Sequence, residues 1–186
     1  MMTPSVTLRC APTAGRPALL LRPWRRADVP ALRRAYADPV LRRRTRYPVD
    51  SESDGLMFVE DHARDRELGT RYGFAVLEEE AGLLVGATVL KRPAVTGPSA
   101  EVGYWTAAHA RGLGVAPRAL EALTAWAFGA FAGAGLERLD LLHQEDNEAS
   151  CRVAVKSGYG LEGRLPAAPP EFPLSGHLHV RRRGSA

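Results

Sequence analysis

"YWTAAHARGLGVAPRAL", residues 104–120, passes from a strand pattern through a small-residue turn into a helix, and the rest of the chain is ordered around this crossing. At its centre Arg111-Gly112-Leu113-Gly114-Val115-Ala116 sits where the helix begins. Glycine lets a backbone approach a ligand closely and adopt dihedrals closed to other residues, while the first N–H groups of a helix lack intrahelical partners. Such a turn can hold phosphate, and Arg111 can add a charge-assisted contact. Two known phosphate loops do not fit. A P-loop needs Gly-Lys followed by Ser or Thr, and no Lys lies here. A dinucleotide fingerprint needs a third Gly where Pro117 stands, and it should open a first strand–helix–strand unit. A plain connecting turn also uses glycine, so on this stretch alone that reading stays open.

Upstream, "AEVGYWT" (100–106) is the strand that feeds the turn, and "RYGFAVL" (71–77) with "LLVGATVL" (83–90) forms a hairpin around a polar turn ending in Gly82. Before them, "LLLRPW" (19–24) predicts a first strand and "ADVPALRRAYAD" (27–38) a short helix with Asp28 as its cap. Residues 41–50 read as a connection, and 51–68 as a helix capped by Ser51 or Ser53.

Downstream, Leu120, Leu123, Ala127 and Phe131 fall at helical spacing over 115–131, with Pro117 in the first turn. "LERLDLLH" (136–143) alternates as a strand. Residues 147–158 predict a helix that Asn147 can cap and Gly158 can end. A strand at 159–165, a Pro-rich loop at 166–175 and a last strand from His177 complete the pattern. No repeat or linker divides the chain, and a length of 186 residues suits one domain over 1–186.

With 45% apolar and 25% charged residues the chain reads as globular, no run approaches a membrane span, and the start has no charged leader before an apolar stretch. These features predict a cytoplasmic protein with no membrane partner. The net charge of +4 favours anionic partners. The arginines are spread along the chain with few aromatics among them and no nucleic-acid motif, so solvated faces are expected and nucleic acid is not. Cys10 and Cys151 match no redox or zinc spacing. His177 and His179 share a strand face but have no third ligand nearby in sequence, so no metal is expected.

Taken together, Arg111, Gly114 and Ala116, the preceding "AEVGYW", the following "DNEASCRVAVKSGYGLEGRL" (146–165) and the opening "LLLRPWRRADVPAL" closely resemble the GNAT superfamily of N-acetyltransferases. Within it they look like the branch of ribosomal-protein N-terminal (alanine) acetyltransferases. The resemblance covers most of the chain. It implies a single-domain α/β (α+β) GNAT fold, with a mixed central sheet splayed between the strands at 100–106 and 136–142 and with flanking helices. Acetyl-CoA would be the cosubstrate: its pantetheine would lie in the split and its pyrophosphate on the N–H groups of Arg111, Gly112, Leu113, Gly114, Val115 and Ala116.

Acyl transfer to nitrogen needs an unprotonated amine. Glu101, on the strand face of Gly103 and Trp105, is the candidate base, and a salt-bridged strand carboxylate is the equal alternative. A strand N–H near Trp105 or Thr106 could stabilise the thioester oxyanion. Many GNAT enzymes place a Tyr acid where this chain has Ala154, whereas the branch resembled here tends to carry a Ser earlier in that helix, matched by Ser150. A hydroxyl bonded to a helix carbonyl is the other reading of Ser150. Asn147 could cap its helix, hydrogen-bond the pantetheine arm, or do both, and His143 could assist proton movement. The resemblance implies a primary amine as acceptor: a protein N-terminus, or an antibiotic, polyamine or amino acid. Many family members pair, which leaves a homodimer open. A non-catalytic acyl-CoA-binding sensor or interaction module would keep the turn without the chemistry.

Overall fold

The hairpin read over residues 71–90 is the middle of the sheet. In a computed structural model, which describes residues 6–45, 47–92 and 95–184, β3 (Arg71–Glu78) and β4 (Leu84–Lys91) pair antiparallel from Arg71↔Lys91 to Leu77↔Leu84. Met1–Ser5, part of the start read for a leader, lie outside the described residues. The core of β3 is buried on both faces, as its nearly unbroken apolar run requires.

Around this pair, β1 (Leu8–Cys10), β2 (Leu19–Arg22), β5 (Ser99–Thr106), β6 (Arg138–Gln144), β7 (Gly160–Leu165) and β8 (Gly176–Arg182) complete one sheet in the order β1-β2-β3-β4-β5-β6-β8-β7. Every neighbouring pair is antiparallel except β5 and β6, which are parallel. The sheet is therefore mixed, with its one change of direction at the strand that feeds the glycine turn.

Helices cover both faces. On one side α1 (Val29–Tyr36), α2 (Pro39–Arg44) and α3 (Glu52–Glu67) enclose a core containing Trp24, Leu32, Tyr36, Val59, Ala75 and Leu77. On the other, α4 (Val115–Ala130) and α5 (Glu148–Lys156) bury Leu120, Leu123, Ala127 and Ala154 against Phe74, Val102, Leu139 and Leu141. Ser51 caps α3 as expected, accepting from the Asp54 N–H at 3.0 Å while Asp54 accepts from the Ser51 N–H at 2.8 Å.

Two expectations need correction. Asp28 makes no side-chain cap; its buried carboxylate takes a bidentate pair from Arg22, 2.7 Å for each bond, and the Arg25 N–H at 2.8 Å. The stretch 41–50 is not only a connection, because Asp38 accepts from Val40 and Leu41 N–H groups and Pro39 starts α2 there. The short strand β1 was also unread, being too brief for periodicity to reveal. Among the described residues no helix is long and apolar enough to cross a membrane.

Candidate active site

β5 and β6 stay paired only from Ser99↔Arg138 to Val102↔Leu141. Beyond that point β5 continues along β4 to Thr106, and β6 continues along β8 to Gln144. Two strands that part company while each keeps its outer neighbour leave a gap between them. Backbone groups along a strand point alternately to opposite neighbours. The Ala107 N–H donates to the Val85 carbonyl at 2.9 Å, on the β4 side. By that alternation the N–H of Trp105 also faces β4, whereas those of Tyr104 and Thr106 face the gap. The oxyanion expectation thus falls to Thr106. Trp105 does not contribute its amide to the gap, and its indole packs at 6.3 Å on Trp24 and edge-on to Tyr36.

The glycine turn stands at the open end of this gap. Its Arg111 and Leu113 N–H groups reach the carbonyls of Ala108 and Ala110 only at 3.4 Å, near the limit for a bond. Gly112 and Gly114 have φ of 77° and 73°, the left-handed region where a side chain is strained. Gly114 is the N-cap of α4 and supplies no side-chain cap, so the first helical N–H groups of Val115 and Ala116 keep the orphan character of a helix start. A Cβ at Gly114 would collide with the guanidinium of Arg16. That arginine comes from the loop between β1 and β2, where Thr13 and Arg16 bond each other's backbones at 3.2 and 2.8 Å. Arg118 of α4 ties the same loop down by donating to the Ala11 and Pro17 carbonyls, each at 2.8 Å.

Arg16 is a cation at the turn that the sequence reading missed, and no local pattern marks it. The side chain of Arg111, by contrast, is ion-paired with Asp38 and ties the turn to the start of α2. Burial would push the Asp38 carboxyl up, but the Arg111 guanidinium and the Val40 and Leu41 N–H groups hold it below the usual carboxylate range.

Ser150 lies in the first turn of α5, almost fully buried. Asn147 caps this helix, its side-chain oxygen accepting the Ser150 N–H at 3.2 Å. The Ser150 hydroxyl meets the Tyr104 hydroxyl at 2.7 Å, a partner on another element. Burial pushes Tyr104 up to about 12, with the bond to Ser150 acting the other way. Tyr104, the first residue of 104–120, is not legible as a site residue in the sequence because its partner is contributed by another element.

Glu101 is not brought near Ser150. It lies three residues before Tyr104 and so on the opposite face of β5. Its carboxylate is ion-paired with Lys91 of β4, and both side chains are about a third exposed, at 38% and 36%. It opens onto a shallow depression lined by Asp65, Thr70, Arg71 and Lys91. The salt-bridged alternative is thus what the structure contains, and any role as base requires access past Lys91.

His177 and His179, which have no third ligand nearby in sequence, gain candidate ligands in space. Register places His143 of β6 opposite His177 of β8, and α5 brings Cys151 over the same face. The four potential ligand atoms lie within 4.8 Å of one another. Burial lowers His143 and His179 below the ordinary histidine range, keeping the neutral imidazole.

A protein-family model described as "Acetyltransferase (GNAT) domain" matches residues 18–160. The ribosomal-protein-serine acetyltransferase of Escherichia coli (strain K12) is 31% identical over 121 residues, which span 64% of this chain and 64% of that protein's length. Among solved structures, an acetyltransferase (GNAT family) from Bacillus anthracis superposes with a TM-score of 0.79 at 20% identity, covering 95% of this chain and 98% of that one. Mycobacterium smegmatis RimJ in complex with CoA-disulfide superposes with a TM-score of 0.79 at 20% identity, covering 96% and 88% of the two chains.

Proposed function

The chain belongs to the GNAT acetyltransferase family, and from that membership we propose that it transfers the acetyl group of acetyl-CoA to a primary amine, with a protein N-terminal amine as acceptor. The observation that carries this reading is the gap after Val102 and Leu141, into which strand amides point and at whose mouth an uncapped helix start holds two left-handed glycines. The pyrophosphate sits on the amides from Arg111 to Ala116 beside Arg16, and the thioester lies along the gap. A RimJ protein of this fold is known in complex with CoA-disulfide, which supports the choice of cosubstrate. A cytoplasmic setting suits it.

The amine nitrogen attacks the thioester carbonyl carbon, and the negative charge that builds on oxygen is met by the Thr106 N–H. Collapse expels CoA thiolate. Tyr104 donates its proton to Ser150 Oγ, which aims the serine O–H at the leaving sulfur. A phenol held at about 12 cannot protonate a thiolate of pKa roughly 8.5 without an uphill step of about 5 kcal/mol, so the pair acts by hydrogen bonding to the developing charge. Glu101 accepts the amine's proton, directly or through water in the depression beside Lys91.

An N-terminal acceptor is favoured over a lysine by charge. At pH 7 an amine of pKa near 8 is roughly 10% neutral and one near 10 only about 0.1%. The end of α2 and the Pro-rich loop at 166–175 meet at the end of β6, where they can shape a pocket for the acceptor: Arg44 pairs with Asp146 at 2.6 Å, and the Glu145 N–H donates to the Ser175 carbonyl at 2.9 Å. The E. coli relative, a ribosomal-protein-serine acetyltransferase, adds support for a ribosomal-protein acceptor. The test is acetyl transfer from acetyl-CoA to peptides beginning with Ser or Ala, to the same peptides with a blocked terminus, and to aminoglycoside, polyamine and amino-acid amines. Faster turnover on the free peptides is expected. Turnover restricted to small amines would replace the acceptor, and CoA binding with no turnover on any amine would favour the sensor.

A further inference from the structure

We infer that His143, Cys151, His177 and His179 form a closed tetrahedral site for a zinc-class divalent transition-metal ion, which fastens α5 to β6 and β8. The sulfur of Cys151 lies 3.4 Å from His143 Nε2, 3.2 Å from His177 Nδ1 and 3.6 Å from His179 Nε2. Zinc–sulfur bonds of about 2.3 Å and zinc–nitrogen bonds of about 2.0–2.1 Å at tetrahedral angles give sulfur–nitrogen edges of roughly 3.6 Å. The three sulfur–nitrogen edges match that frame within a few tenths of an ångström, and the nitrogens, within 4.8 Å of one another, close toward tetrahedral nitrogen–nitrogen edges of roughly 3.4 Å as the ion binds.

Hydrogen bonding alone does not account for the arrangement. His143 Nδ1 lies 2.8 Å from the Gln144 carbonyl and His179 Nδ1 3.3 Å from the Tyr159 carbonyl. A carbonyl can only accept, so each Nδ1 carries the proton and each Nε2 turns a lone pair toward the sulfur. A thiol has one hydrogen to give, which leaves at least one of these lone pairs facing sulfur with nothing between them. A cation at the centre satisfies all four atoms at once. The carbonyl contacts behind His143 and His179 are the outer-shell supports that fix tautomer and ring orientation in metal sites.

One thiolate with three imidazoles suits zinc, and Co2+ takes the same geometry. Four protein ligands complete the tetrahedron, so the ion is structural and leaves no vacant position for water or substrate. Cys151 follows Ser150 directly, and a metal clamp there holds the first turn of α5 where Ser150 meets Tyr104.

The test uses untagged full-length protein titrated with Co2+ and read by absorption, independently of acetyl transfer. One Co2+ per chain is expected, with tetrahedral d–d bands and a thiolate-to-cobalt charge-transfer band that Zn2+ abolishes by displacement. Cys151→Ser should lose the charge-transfer band, and His179→Gln should weaken binding by more than about 10-fold, since outer-shell changes alone cost that much. Wild-type protein that develops no charge-transfer band, or a band that survives in Cys151→Ser, overturns the site and leaves a metal-free polar cluster. The wild-type titration decides the matter even if a variant fails to fold.

Discussion

The hydroxyls of Tyr104 and Ser150 lie 2.7 Å apart, joining a strand at the edge of the gap to the first turn of α5. If they serve the leaving thiolate as one unit, Tyr104→Phe and Ser150→Ala should each lower kcat by about 10²-fold or less, the low end for acid–base assistance, because the leaving group is already good. The double variant should be little worse than either single one. Steady-state kinetics on all three variants checks this, and multiplicative losses would show the hydroxyls acting separately.

Glu101 gives a sharper test of proton removal. Glu101→Gln should lower kcat by about 10²-fold or more at a pH where the amine is largely neutral, the range of general-base assistance. Lys91→Met, which frees the carboxylate from its ion pair, should retain turnover. Parent-like turnover in Glu101→Gln would leave this residue as the salt-bridged strand carboxylate and nothing more.

His62 predicts how stability follows pH. Its ring stacks on Phe58 at 4.2 Å, and a Cβ on Gly73 would collide with it. Burial holds its pKa down at about 4, against an ordinary value of 6.5. The unfolded chain therefore binds the proton first, and stability is present above pH 6.5 and lost as pH falls toward 4. At 1.36 kcal/mol per unit the loss approaches about 3 kcal/mol. The measurement is a difference, so that other titrating groups cancel: urea unfolding of His62→Gln should depend less steeply on pH in this window than the parent. Parallel curves would refute the assignment.

Arg16 should act on cofactor affinity alone. Arg16→Gln removes a charge-assisted contact beside Gly114 and should raise the KM for acetyl-CoA about 10-fold with kcat nearly unchanged. The effect should shrink at high salt, as screening of an exposed charge requires. A fall in kcat at unchanged KM would place Arg16 elsewhere in the reaction.

Much of this was legible in the sequence because it is local. Periodicity located the strands and helices around the gap, and the glycine pattern located the turn. Ser51 and Asn147 announced their caps by position. Contacts made by residues distant along the chain were not legible. Arg16 reaches Gly114 from the loop between β1 and β2, Tyr104 finds Ser150 across the gap, and the Cys151 cluster is assembled from β6, α5 and β8. Asp28 looked like a cap because its spacing allows one, and Arg22 of β2 took the carboxylate instead. Such a bidentate pair depends on where β2 lies, which no helix signal encodes.

The most direct test of the pyrophosphate seat is a calorimetric titration of CoA into the parent and Gly114→Val, with thermal unfolding confirming that both are folded. A side chain at a φ of 73° fills the turn and moves Arg16, so affinity should fall by at least about 10-fold, the worth of one charged contact. Equal CoA affinity in the two folded proteins would contradict the placement of the diphosphate on the amides from Arg111 to Ala116.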